Sequence, residues 1–300
     1  MKRVLVTGAS GCLGRRCLPL LRSRGFEIHA VSSRSQPQAP GWVWHRQDLL
    51  EPGAAAKLCK SLEPASVLHL AWIAAAGEYR HSAENLAWVR ASLELAASLG
   101  TAQRLVVAGS CMDDAGPDRH LTEQWPSLYG VAKSALYRLL CYAGGKANLP
   151  HFAWARIFFF YGPEQRGARL VPEVIRCLLA DRPAICGPGT PVRDYLHADD
   201  VASALVAILD SSLEGTVDVA SGRGCSVASL TQNLAAQLGR PHLLRLGERP
   251  AAPEPDRIVG DNRRLLHELG WHPQVPLDEG LARTVAWWRE QLAAAPGPSA

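Results

Sequence analysis

Along the first 160 residues, short apolar runs recur at intervals that leave room for one amphipathic helix between them. Val4–Val6, Glu27–Val31, Trp42–His45, Ser66–Leu70, Arg104–Ala108 and Phe152–Phe160 read as buried strands: each is short, and Gly, Pro or polar clusters bound it. Between the first two, Cys12–Gly25 carries Leu13, Cys17, Leu20 and Leu21 at helical spacing. Further helices are read over Glu84–Leu99 and Tyr129–Ala143. Strand and helix in regular alternation predict an α/β chain whose parallel sheet is doubly wound, with helices on both faces.

Beyond Tyr161-Gly162-Pro163 the alternation loosens, and Pro-rich stretches appear at Cys186–Val192 and Glu248–Pro255. They are read as connections to a smaller C-terminal α/β lobe that binds substrate, built from 163–193 and 223–290. Between these pieces Asp199–Leu209 reads as a helix and Thr216–Val219 as a strand, so 194–222 is expected to return to the first domain, 1–162. The last segment, 291–300, has nothing to bury and is expected to be a flexible tail.

Composition narrows the class. With 47% hydrophobic and 20% charged residues the chain is an ordinary globular protein rather than a disordered one. The net charge of +4 comes with scattered arginines, which argues against a nucleic-acid partner and for small phosphate-bearing ligands. Eight cysteines stand singly with no CxxC pair, the pattern of reduced core residues in a cytoplasmic protein, and no ligand spacing points to a metal. No run is apolar enough to enter a membrane, and the start does not read as a signal peptide.

The turn after the first strand, TGASGCLGRR, places Gly8, Gly11 and Gly14 three residues apart, with Cys12 and Leu13 between the last two. A glycine-rich strand-to-helix turn aims free N–H groups and a helix dipole at one point, which suits a pyrophosphate. Gly8 serves the tight turn, Gly11 the approach of phosphate, and Gly14 the packing of helix on sheet. This is the Rossmann-type pattern. The second strand ends Ser32-Ser33-Arg34 without the acid that would grip the ribose hydroxyls of NAD. NADP(H) is therefore favoured over NAD(H), with Ser33 and Arg34, and Arg15 or Arg16, near the 2′-phosphate.

A second signal is Tyr129-Gly-Val-Ala-Lys133, which puts Tyr129 and Lys133 one helical turn apart, after a strand that ends Gly109-Ser110. With TGASGCLG, Asp48-Leu49, HLAW at 69–72, Asn85, YGVAK, ARIFFFYGP at 155–163, RDYLHADDVA at 193–202 and ELGWHP at 268–273, the chain resembles the extended short-chain dehydrogenase/reductase superfamily. Within it, the likeness is to the nucleotide-sugar epimerase, dehydratase and ketoreductase group. The resemblance implies catalysis by Ser110, Tyr129 and Lys133, with Tyr129 as acid/base and Ser110 polarising the carbonyl. Lys133 would hold the nicotinamide ribose and lower the phenol from its usual value near ~10. An ammonium at ~4 Å is worth on the order of 4 kcal/mol at an effective dielectric of ~20. It further implies cofactor contacts from Asp48, Leu49, Leu70, Ala71, Asn85 and Phe158. Substrate contacts are implied from Ser110, Phe159, Arg193 and Arg257, the two arginines on a diphosphate. His69 and His197 are read as structural. A homodimer through a four-helix bundle of Glu84–Leu99 and Tyr129–Ala143 is also implied.

Departures from the family pattern select among its reactions. Dehydratases of the group place an Asp-Glu pair after the catalytic hydroxyl; here Ser110 is followed by Cys111-Met112. Met112 also stands where enzymes that epimerise before reducing commonly carry a proton-shuttling cysteine. Single-step hydride transfer to a nucleotide-linked 4-keto-6-deoxy sugar is the expected reaction. An NAD-dependent nucleotide-sugar 4-epimerase and a non-catalytic NADP(H)-binding regulator are the competing readings. Asp113 and Asp114 are left between substrate contact and solvation.

Overall fold

The computed structural model describes residues 2–73, 78–100, 102–116, 121–144, 149–165 and 167–294. Six strands come first: β1 (Arg3–Thr7), β2 (Glu27–Ser32), β3 (Val43–Arg46), β4 (Ser66–His69), β5 (Arg104–Ser110) and β6 (His151–Ile157). Then follow β7 (Phe159–Tyr161), β8 (Ala184–Ile185), β9 (Val192–His197), β10 (Gly215–Val219), β11 (Gly224–Ser226), β12 (Leu244–Arg245) and β13 (Arg257–Ile258). The helices are α1 (Cys12–Ser23), α2 (Ala54–Leu62), α3 (Glu84–Ala97), α4 (Leu121–Gln124) and α5 (Leu128–Gly144). In the second half lie α6 (Leu170–Leu179), α7 (Ala198–Leu209), α8 (Val227–Gln237), α9 (Arg263–Leu269) and α10 (Leu277–Ala294).

The main sheet runs β10-β6-β5-β4-β1-β2-β3, and every pairing in it is parallel. Side chains alternate across it. Val4 and Val6 face one core with Leu18 and Leu21 of α1 and Leu205 of α7; Leu5 faces the other with Leu95 of α3 and Leu136 of α5. Both faces are covered, which is why these strands are apolar throughout rather than alternating. Each fully buried Leu or Val contributes about 1.5–3 kcal/mol. Strand order reverses between β1 and β4, and that reversal opens a crevice at their carboxyl ends.

The apolar run Phe152–Phe160 is not one strand. β6 stops at Ile157, the Phe158 N–H donates to Val219 O at 3.2 Å, and β7 pairs instead with β9. Phe158 buries its ring in a separate cluster with Cys111, Met112 and Trp125, and this is where the chain leaves the sheet. β9 also pairs with β11 and β13, while α6, α8 and α10 enclose a third core around Ile175, Leu230, Leu234 and Leu281. Ser226 caps α8, accepting the Ser229 N–H at 3.0 Å. Of the tail read at 291–300, the part up to Ala294 continues α10, and 295–300 lies outside the described residues.

Candidate active site

β1 delivers the chain to Gly8, whose φ of 65° is the left-handed conformation that glycine tolerates best. A Cβ there would lie 2.7 Å from Ala71 N and 2.8 Å from the Leu70 carbonyl carbon, so the ends of β1 and β4 touch backbone to backbone. A Cβ on Gly14 would fall 2.3 Å from Gly8 O, and one on Gly11 3.2 Å from the same oxygen. Gly11 caps α1 with no side-chain hydrogen bond, and the first turn of α1 holds no acid. The N–H groups from Cys12 and Leu13 onward thus open at the strand-order crevice. This cradle fits the pyrophosphate of a dinucleotide. Beneath it, the His69 ring joins Thr7 Oγ1 (2.7 Å) to Ser92 Oγ (2.9 Å), and burial pushes its pKa down to about 3: a structural histidine.

Around the turn after β2, Ser32 Oγ accepts the Arg34 N–H at 3.2 Å, and the Ser33 and Arg34 side chains are exposed. Arg15 donates to Gln36 Oε1 at 3.0 Å and so sits beside this turn. Arg16 points elsewhere, pairing with Asp199 at 2.9 Å and donating to Pro163 O at 2.7 Å. Of the two arginines after the glycines, Arg15 alone is near the second strand's end. Asp48 is exposed and accepts the Leu50 N–H at 2.9 Å, whereas Leu49 is a core residue packed with Val31 and Ala55.

Ser110 closes β5, and α5 begins against it. A Cβ on Gly130 would come within 2.6 Å of Met112 O, so glycine beside Tyr129 lets the helix approach the turn. Ser110 Oγ accepts the Met112 N–H at 3.1 Å, and the Ser110 and Tyr129 hydroxyls are hydrogen bonded. Lys133, 3% exposed, donates from Nζ to Ala108 O at 2.8 Å and lies 3.6 Å from the Trp72 ring centroid and 5.9 Å from that of Tyr129. The expected lowering of the phenol by Lys133 is not what this geometry gives. Burial, and next the Tyr79 hydroxyl, hold Tyr129 above its ordinary value, the Ser110 hydrogen bond opposing them. Burial also pushes the Lys133 ammonium down to about 7, against the pull of Asp113.

Asp113 is neither solvated nor turned to a substrate. It is fully buried and accepts from Ser110 N (2.8 Å), Ala115 N (3.1 Å), Trp154 Nε1 (2.9 Å) and Arg156 Nε (3.2 Å). Arg156 reaches on to Asp218 at 3.0 Å. Asp114 accepts from Thr122 N at 3.0 Å and from the Ser134 hydroxyl at 3.5 Å. The turn that carries Ser110 is thereby held by buried charge. Asn85, expected against the cofactor, is 0% exposed: its amide donates to Tyr79 O and Ser82 O and accepts from Trp72 Nε1 at 2.8 Å. Those bonds fix Trp72 and leave the amide turned into the protein.

On the lobe side Arg193 is 2% exposed, 5.5 Å from the Phe159 ring and 5.9 Å from that of Trp125, and it pairs with Glu254 at 2.8 Å. Phe159 also packs 6.0 Å from the Tyr195 ring. Arg257 is not brought to Arg193. Its register partner on β9 is Val192, so it lies on the opposite face of that small sheet, and it is exposed. His197 caps α7 through Nδ1, which accepts the Asp199 N–H at 3.3 Å.

Trp72, Gly130, Arg156 and Asp218 are supporting residues of the site to which the sequence alone gives no role, and Asp113 is the one whose role it leaves open. One signal was present: a charge inside the apolar strand FAWARI demands a buried partner. Nothing local in the sequence marks Trp72 as the neighbour of Lys133.

Residues 4–220 match the NAD dependent epimerase/dehydratase family. UDP-glucuronic acid decarboxylase 1 of Xenopus tropicalis is 26% identical, over 97% of this chain and 73% of its own. The dTDP-4-dehydro-6-deoxy-D-allose reductase of Streptomyces bikiniensis is 24% identical, over 96% of both chains. The UDP-glucose 4-epimerase of Thermus thermophilus, solved in complex with NAD, superposes with a TM-score of 0.80 at 26% identity, covering 96% of this chain and 99% of that one. A family match over well more than half of the chain accords with the glycine cradle at the crevice and the Ser110–Tyr129–Lys133 corner beside it. This chain belongs to the NAD dependent epimerase/dehydratase family, among the extended short-chain dehydrogenase/reductases that act as NAD(P)-dependent nucleotide-sugar enzymes.

Proposed function

We propose that the chain is an NADPH-dependent ketoreductase that reduces a nucleotide-linked 4-keto-6-deoxy sugar. The observation that carries this reading is the turn after Ser110. Cys111 is buried and pushed up to about 12, Met112 carries no proton, and Asp113 is saturated by four donors. Elimination or epimerisation at a second carbon needs a further acid or base, and this turn offers none. A reduced nicotinamide, when bound, supplies the hydride. Tyr129, kept protonated by burial, donates its proton to the carbonyl oxygen, and the Ser110 hydroxyl steadies the developing alkoxide. Lys133 holds the ribose beside them. Gly8, Gly11, Cys12, Leu13 and Gly14 form the phosphate cradle, and Arg193 with Phe159 lines the substrate side.

The absence of an acid after β2, with Arg34 exposed and Arg15 beside it, supports NADPH. Exposed Leu86 on α3 and Val131 and Leu139 on α5 support a homodimer through those two packed helices. A second reading, the 4-epimerase, is favoured by the likeness to the Thermus UDP-glucose 4-epimerase, solved in complex with NAD. The test is transfer from C4-deuterated NADPH to the 4-keto sugar nucleotide in ordinary water. One deuterium at C4 of the sugar is expected. No transfer, together with a tightly retained NAD found by mass spectrometry, would favour the epimerase instead.

A further inference from the structure

Trp72 is one of three rings, with Tyr129 and Trp154, that the fold brings within about 6 Å of the Lys133 ammonium. Its indole stacks on Trp88 at 6.3 Å and 27°, meets Tyr129 edge-on at 6.4 Å, and anchors its N–H on Asn85 Oδ1 at 2.8 Å. Tyr79 packs edge-on against Tyr129 at 5.1 Å. Lys133 Nζ sits 3.6 Å from the Trp72 ring centroid, well inside the ~6 Å range of a cation–π contact, while donating to Ala108 O. The indole is held in place by Asn85, whose own amide is bound to Tyr79 O and Ser82 O.

We propose that Trp72 is a positioning residue that keeps the Lys133 ammonium charged and fixed beside Tyr129. The inference rests on the reading of Lys133 as the ribose-holding group. A π face attracts a cation without binding any one N–H in a fixed direction, so the ammonium keeps donors to offer a ribose hydroxyl. The charged form needs this support. Burial, opposed by Asp113, brings Lys133 down to about 7, so the charge at neutral pH is not secured by the facing carboxylate. The other titratable groups facing Lys133 are Asp113 at the β5 turn, Tyr129 on α5 and His69 on β4. Asp113 favours the ammonium, whereas His69 is held neutral by burial and by Lys133 itself.

The chain holds five lysines, few enough to follow each by NMR after labelling with carbon-13 at Cε, Lys133→Met giving the assignment. Trp72→Leu keeps an apolar group and removes the ring; it is expected to move the Lys133 midpoint down by about 0.4–1.5 pH units. Trp72→Phe, which keeps a weaker ring, should restore at least half of that shift. The alkaline limb of kcat/KM should move down by the same amount as the midpoint in Trp72→Leu. A midpoint unchanged within about 0.2 units in Trp72→Leu, or one as low in Trp72→Phe as in Trp72→Leu, overturns the proposal. Should Trp72→Leu not fold, Trp72→Met reads the same shift. If the unmutated chain reduces no keto sugar nucleotide, the ketoreductase reading fails, while the Lys133 midpoint still decides this inference.

Discussion

Two turns at the carboxyl ends of β1 and β5, strands of one sheet with β4 between them, hold the site, and they are built in opposite ways. The turn after β1 is shaped by missing side chains. Gly8 and Gly14 stand where any Cβ would strike backbone atoms at 2.3–2.9 Å. The turn after β5 is shaped by side chains of the most expensive kind, a fully buried Asp113 that gathers Ser110 N, Ala115 N, Trp154 and Arg156. The first presents backbone N–H groups to a ligand; the second holds one hydroxyl in register with Tyr129. A binding cradle can thus be made from local backbone alone, whereas aiming a reacting group takes partners distant in sequence.

The sharpest way to separate the two is to disable the chemistry without touching the cradle. Tyr129→Phe is expected to cut turnover of a keto sugar nucleotide about a hundredfold to ten-thousandfold, with dinucleotide affinity nearly unchanged. Steady-state rates beside a cofactor titration check it, and a near-normal rate would sink the acid role of Tyr129.

Acid should undo the join under the cradle. His69 has a folded pKa pushed down to about 3, below the ~6.5 of an unfolded histidine, so between those values the unfolded chain binds more protons. Its contribution is complete above about pH 6.5 and is lost as pH falls toward 3, up to about 4–5 kcal/mol in all. Urea midpoints measured across this window should fall less steeply in His69→Gln than in the unmutated chain.

At the second turn, Asp113→Asn leaves the buried Arg156 with Asp218 as its remaining carboxylate partner among the contacts above. Breaking a buried pair costs about 3–5 kcal/mol. Denaturant unfolding should show that loss, and turnover should drop as the Ser110 turn loosens; unchanged stability would mean the network is dispensable.

Two smaller effects test the cradle. Arg34→Ala should lower NADPH affinity about tenfold to a hundredfold relative to NADH, as one charge-assisted hydrogen bond would. Equal binding of both cofactors by the unmutated chain would remove the basis for NADPH. Gly14→Ala forces a methyl against Gly8 O and should cost about 1–3 kcal/mol in stability, with weaker dinucleotide binding while Tyr129 and Lys133 keep their places. Thermal melts with and without dinucleotide would read both.

The sequence by itself determined the alternation of strand and helix, the doubly wound sheet, the glycine cradle, and the pairing of Tyr129 with Lys133. Each of these is written in neighbouring residues: apolar runs on β1 and β5, glycines three apart, two side chains one helical turn apart. Tertiary structure decided the rest. Only packing could divide Phe152–Phe160 between two sheets, turn Asn85 inward, set Arg257 on the face opposite Arg193, and seat Trp72 on the Lys133 ammonium. It also decided that Tyr129 is raised rather than lowered. A backbone preference acts over a few residues and can be read from them. Burial, and the charges that share it, depend on which distant segments the fold brings together: Asp113 owes its place to Arg156, and Arg156 to Asp218.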